Sequence, residues 1–315
     1  MKATTKLMIL GIFGVSLILV SVASAADWYV PGSFPTIQAA IDSSSSGDRI
    51  FVGPGHHYGA TVTKAVEIRG EDGAVINDGP LPWGVPTRKA GFFFSGLGSG
   101  SGATISHFRF ETVEFPVFSR GANDVTVEHC TLINPIQGVT NWHGQRWQIS
   151  HNEIIDLQTF NGGGIGILIG GVLKTWQYLI TDNVVAHNKI IGVLHVMAGD
   201  GGGYNGTGIV LYADFRWGAA GADQIAYNRV VKNKISVVSD TPSVVDVAAI
   251  ELTDTRGLTG VIYENSIGFN DLRDTVLQIY LTPVGLDNPV NDISRNLGEN
   301  RGHGLHPSAF GPGED

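Results

Sequence analysis

An apolar residue, two variable positions, a small or polar residue, one more variable position and a second apolar residue recur along this chain as a unit. Copies run from Ile105 to Phe110, Val127 to Leu132, Ile149 to Ile154, Ile180 to Val185, Ile225 to Val230 and Ile262 to Ile267, and a degraded copy opens at Ile293. Their fourth positions are Phe108, Cys130, Asn152, Asn183, Asn228, Asn265 and Asn296. The shortest gap, 22 residues, sets the unit, and gaps of 31, 45, 37 and 31 residues carry loop insertions. Short strands and corners of that total length predict one turn of a parallel β-solenoid, each rung about 4.8 Å above the last. Asparagine suits the fourth position because it tolerates left-handed corner geometry and its amide can bond the same residue one rung on. In the early rungs Phe108 and Cys130 replace that amide ladder with packing.

A stack of parallel strands has open edges at its ends, and these need covers. Ser33-Phe34-Pro35-Thr36 followed by apolar Ile37, Ala40 and Ile41 predicts a short helix over the first rung. Composition agrees: 43 glycines and only 16% charged residues among 315 describe tight turns between buried strands, not a disordered chain. The reading is an all-β, single-stranded solenoid with an N-terminal helical cap.

Lys2 and Lys6 precede an apolar stretch from Leu7 to Val22 that closes on Ala23-Ser24-Ala25, the pattern of an export signal. The stretch falls short of the roughly 20 residues that cross a bilayer as a helix. Residues 1–25 are therefore read as a signal peptide and 26–315 as one β-helix domain, with a secreted, periplasmic or cell-surface destination. The chain has a net charge of −9, which becomes more negative when the two lysines leave. No later apolar span and no run of basic residues points to a membrane or a nucleic acid as partner. Cys130 is the single cysteine, so no internal disulfide can form.

Counting back from the ladder positions exposes a second column. Ser119, Asn141 and Asp254 each lie 11 residues before a fourth position, and Asp214 lies 14 before Asn228, which predicts all four at one corner. Two residues further on come His143, Arg216 and Arg256, so the last two rungs repeat Asp-x-Arg. Stacking at about 5 Å would let two carboxylates share a cation or raise one another's proton affinity. Trp142 and Trp217 at the same corner offer faces on which sugar rings stack. Read as plain architecture, Asp-x-Arg is a surface ion pair that fixes a turn. A third column, His107, His129 and His151, continues as Asp182, Tyr227, Glu264 and Arg295. It suits either a solvated strand face or a copper or zinc site.

The helix Thr36-Ile37-Gln38-Ala39-Ala40-Ile41, the run from Gly47 to Gly55 (Gly-Asp-Arg-Ile-Phe-Val-Gly-Pro-Gly) and the six repeat copies resemble the pectin lyase-like superfamily. The resemblance spans about residues 27 to 300 and implies a right-handed parallel β-helix. From the lyase members it implies that Asp214 and Asp254 hold calcium against a sugar acid, while Arg216 or Arg256 removes a proton or neutralises the sugar carboxylate. Asn141, Trp142, His143 and Trp217 would then line the substrate. The expected function is that of an exported protein engaging polysaccharide, with cation-assisted lyase action on uronic-acid-containing glycans as its chemistry. The superfamily also implies two alternatives: a noncatalytic cell-surface or carbohydrate-binding β-helix protein, and a periplasmic copper-handling one. An acidic chain accepts a uronate only where a cation bridges the two.

Overall fold

In a computed structural model the protein is described over residues 25–82, 88–160, 164–172, 178–200, 206–214, 223–255, 260–282, 285–287, 289–298 and 300–303. Each coil contributes short strands that pair, in parallel, only with those of the coils before and after it. Sheet A has ten strands, from Asp27–Val30 to Asp292–Ser294. Sheet B has seven, from Gly55–Tyr58 to Lys234–Ser239. Sheet C has nine, from Ala60–Thr61 to Arg301–His303, and a short sheet D joins Leu179–Ile180, Gln224–Ala226 and Ile262–Tyr263. The chain is thus a right-handed parallel β-helix, as the repeat requires.

The alternation of the strands builds the core. In sheet A the registered column Ile50, Ile68, Ile105, Val127, Ile149, Val185, Val230, Ile267 and Ile293 points inward, and every member is almost fully buried. Each such side chain contributes about 1.5–3 kcal/mol of burial. A helix α1, Ile37–Ser43, closes the first end as expected. Thr36 caps it by accepting a hydrogen bond from the Ala39 amide at 3.1 Å, and Ile37, Ala40 and Ile41 are buried. Lys64 Nζ donates to the carbonyls of Asp42 and Ser44 at the other helix end (2.7 and 2.6 Å).

The asparagines form two ladders where the sequence suggested one. Asn183, Asn228, Asn265 and Asn291 lie before sheet A, with Nδ2 to Oδ1 distances of 2.8, 2.9 and 2.9 Å. Asn152, Asn188, Asn233, Asn270 and Asn296 lie after it, with distances of 3.0, 3.0, 3.0 and 2.9 Å. Asn152 therefore stacks on Asn188, not on Asn183. The physical cause is that each sheet A strand from Val184–Ala186 onward carries an asparagine at both ends. Ile180-x-x-Asn183 and Val185-x-x-Asn188 satisfy the same motif, and the structure selects the second frame to continue Ile149-x-x-Asn152. True rung lengths from Cys130 onward are 22, 36, 45, 37 and 26 residues.

Sheet C carries a glycine column, Gly138, Gly166 and Gly208. A Cβ there would lie 2.6, 2.5 and 2.6 Å from a carbonyl oxygen of the next rung, so no larger residue fits without displacing backbone.

Asn228 accepts from the Asn183 backbone N–H and Nδ2 and donates to Asn265 Oδ1 and the Ile180 carbonyl. Replacing it with alanine strands several buried groups at once. Asn228→Ala should lower the free energy of urea unfolding by about 3 kcal/mol. The exposed sheet A change Gln148→Ala should alter it by less than about 0.5 kcal/mol. Equal effects of the two would remove the ladder as a source of stability.

Candidate functional site

The outer face of sheet C gathers the chemistry. Alternation along Val247–Asp254 sends Ile250, Leu252 and Asp254 into the core and Glu251 and Thr253 outward. Register then lines Glu251 with Phe118, Thr140, Leu168, Val210 and Tyr280, and lines Thr253 with Arg120, Trp142, Gly170, Tyr212 and Thr282. At the early rungs this face is a small outer core of Phe93, Phe115, Phe118 and Ile136, packed under Trp142 and Phe160. Arg120 lies beside it with its guanidinium 5.6 Å over the Phe118 ring. At the later rungs polar groups replace the aromatics.

Glu251 is 7% exposed, and Thr207 Oγ1 donates to its Oε2 at 2.9 Å while Thr253 Oγ1 donates to its Oε1. Burial pushes its carboxyl above the ordinary glutamate range, and the two hydroxyls pull only partly against that. Tyr212, 8% exposed, has its phenol held well above its usual range by burial, then by the negative charges of Asp214 and Glu251. Tyr280, half-buried, is raised by burial and then by Glu251. The Trp142 ring meets Tyr212 edge-on at 6.0 Å and lies over Gly170, where a Cβ would come within 2.8 Å of its Cζ3. The result is a carboxyl-and-phenol cluster of Glu251, Asp214, Tyr212 and Tyr280, with the half-buried Trp142 ring at its edge.

Asp214 belongs to this cluster at 3% exposure, but the expected pairing of Asp214 with Asp254 fails. Register opposes Asp254 to Ala213 and Asp214 to Val172, so the two carboxylates are one residue out of step. Asp214 shares the outer face with Tyr212, whereas Asp254 lies in the interior at 0% exposure. Side chains on opposite faces of a sheet do not fit one shared calcium ion, and no step is derived through it. The counting failed because Asp254 was referred to Asn265 and Asn141 to Asn152, which stand on different ladders. Ser119 and Asn141 do register, yet Asn141 is wholly enclosed. Its amide donates to the Gly144 carbonyl and to Asn183 Oδ1, and its Oδ1 accepts from the Gly144 amide, so it heads the first ladder instead of meeting a substrate. Arg216, Trp217 and Arg256 lie outside the described residues.

His143 lies at the corner after its strand, in a left-handed conformation with φ 68°. Its Nε2 is 3.3 Å from Oδ2 of fully buried Asp223, and its ring packs on Tyr178 at 4.8 Å. Gly171 leaves the space for that carboxylate, since a Cβ would lie 2.5 Å from Asp223 Oδ2. Among the described residues no group of three or more His, Cys, Asp or Glu side chains converges as metal ligands would. The histidine column is longer than expected, because His187, not Asp182, follows His151. Glu251, Asp223 and His187 escaped the sequence reading. Only His187 had a signal there, its position directly before an asparagine.

No family model matches the chain, and no curated protein does. One solved structure does, the catalytic domain of a GH87 α-1,3-glucanase in complex with tetrasaccharides. It shares 13% identity, covers 78% of this chain and has a TM-score of 0.28. This chain spans 64% of that one.

A carboxyl raised by burial favours folding at low pH, where it is protonated in both states. That advantage is lost as pH rises from the unfolded value, about 4.3, through the higher folded one. Glu251→Gln should therefore match the wild type in urea unfolding near about pH 4 and exceed it near about pH 8. A difference that does not change with pH would mean Glu251 is not raised.

Proposed function

We propose that this protein engages polysaccharide along the outer face of sheet C and cleaves glycosidic bonds there, with Glu251 as the proton donor. The observation that carries the reading is the buried carboxyl of Glu251, pushed above the ordinary glutamate range by burial, on the same face as Trp142, Tyr212 and Asp214. Cleaving a glycosidic bond requires a proton on the departing oxygen, and a carboxylic acid raised by an apolar setting supplies it near neutral pH. Asp214 offers the second carboxyl that such chemistry uses. Trp142 offers an apolar face for a sugar ring, and Arg120 a cation for a uronate carboxylate. The β-eliminating alternative needs a base, and the two arginines expected to act as one lie outside the described residues.

The enclosure of Glu251 and Tyr212, each less than a tenth exposed, favours a second reading, a noncatalytic glycan-binding solenoid of the same superfamily resemblance. One experiment separates the two. Pectate, alginate, glycosaminoglycans and neutral glucans are incubated with the purified chain, and both new reducing ends and unsaturated products are measured. Release of reducing ends that falls at least about 100-fold in Glu251→Gln, with glycan binding retained, is the expected result. Unsaturated products would replace the acid mechanism with elimination. Binding without product on every glycan would leave the noncatalytic solenoid.

A further inference from the structure

The corner between sheets A and B presents a single file of rings along the solenoid axis. His107, His129, His151 and His187 stack with centroids 5.0, 5.1 and 5.0 Å apart, and the interplanar angle falls from 28° to 17° to 6°. All four adopt left-handed backbone, with φ of 63°, 53°, 56° and 58°. Register continues the file as Lys232, Phe269 and Arg295, again with positive φ, and the Arg295 guanidinium lies 5.3 Å over the Phe269 ring. His129, His151, His187, Lys232, Phe269 and Arg295 are exposed.

The file lies in a mixed field. From sheet A it is flanked by Glu67, Arg69, Glu128, Arg229 and Asp292, and from sheet B by Arg109, Glu153, Lys189, Lys234 and Asp271. Glu153 is neutralised by Lys189 at 2.6 Å, Asp271 by Arg273 at 2.9 Å and Arg109 by Glu111, while among the described residues neither the cations Arg69, Arg229, Lys232, Lys234 and Arg295 nor the acids Glu67, Glu128 and Asp292 form an ion pair. On a chain with a net charge of −9, the file itself thus presents four imidazoles, an ammonium and a guanidinium and no acid. Burial, then Arg69, then His129 hold His107 below the usual imidazole range.

We propose that this ridge is a binding track for a linear acidic polysaccharide, laid along the axis with one anionic sugar facing each rung. The rung step is comparable to the length of one pyranose unit in an extended chain, so the same contact repeats without strain. Imidazole N–H, ammonium and guanidinium groups donate to sugar carboxylates, and Phe269 meets a ring face. A duplex nucleic acid presents one charge per roughly 1.7 Å of axis and mismatches this step. A bilayer would need apolar side chains to insert, and the file offers one. The track lies on a different corner from Glu251 and does not depend on the reaction assigned there.

Binding of the full chain to oligogalacturonate at low ionic strength, measured by calorimetry with a chelator present, tests the proposal. Affinity should fall at least about tenfold between about 0.02 M and about 0.3 M salt. His129→Asn, His151→Asn and His187→Asn together should weaken binding several-fold. Asparagine tolerates the left-handed corner, so an unchanged circular dichroism spectrum is expected. Should that triple variant misfold, Lys232→Gln with Arg295→Gln must weaken binding several-fold. A salt-independent affinity, an unaltered variant, equal binding to neutral dextran, or tighter binding to phosphatidylserine vesicles or single-stranded DNA would overturn the proposal.

Discussion

The amide of one asparagine bonded to the amide of the next is the constraint from which the rest of the molecule is built. At a sharp corner the backbone turns carbonyl and N–H groups toward the core, where leaving them unpaired is costly. Asn183, Asn228 and Asn265 on one side of sheet A, and Asn188, Asn233 and Asn270 on the other, answer those groups by accepting from the backbone N–H of the previous rung and donating to its carbonyls. The distance between the two corners is thereby fixed at the same few residues in every late rung. Chain length cannot vary across sheet A, so variation collects at the ends of the sheet C strands.

Those ends hold the carboxyl and phenol groups. Gly170 and Gly171 clear room for the Trp142 ring and the Asp223 carboxylate. The stacking that registers Val210, Glu251 and Tyr280 sets an acid among aliphatic and aromatic neighbours. A rigid scaffold with its irregular segments confined to one side holds reactive groups without asking the scaffold itself to move.

Much of this was legible in the sequence. The 22-residue period, the capping helix and the asparagine at the corner all state local rules, and each reappears in the structure. The frame was not legible beyond Asn152, because Asn183 and Asn188 both satisfy the repeat and only pairing with Ile149 decides between them. That single slip displaced Asp254 and hid His187. Glu251 gave no signal, since its neighbours on the outer face come from other rungs dozens of residues away. The ridge of His187, Lys232 and Arg295 was invisible for the same reason: a scan for adjacent basic residues cannot see charges that the coil brings side by side.

The two ladders also dictate how such a protein can change its size. From Asn228 to Asn265 the chain runs 37 residues, and from Asn233 to Asn270 it runs the same 37. Excising or duplicating that whole turn would rejoin both seams and every sheet at once. Removing residues between Asn228 and Asn233 alone would leave one seam mated and the other open, whereas the insertions at the ends of the sheet C strands vary without touching either. Growth and shrinkage by entire coils thus keeps the interior closed, and it would lengthen the histidine corner and the outer face of sheet C together.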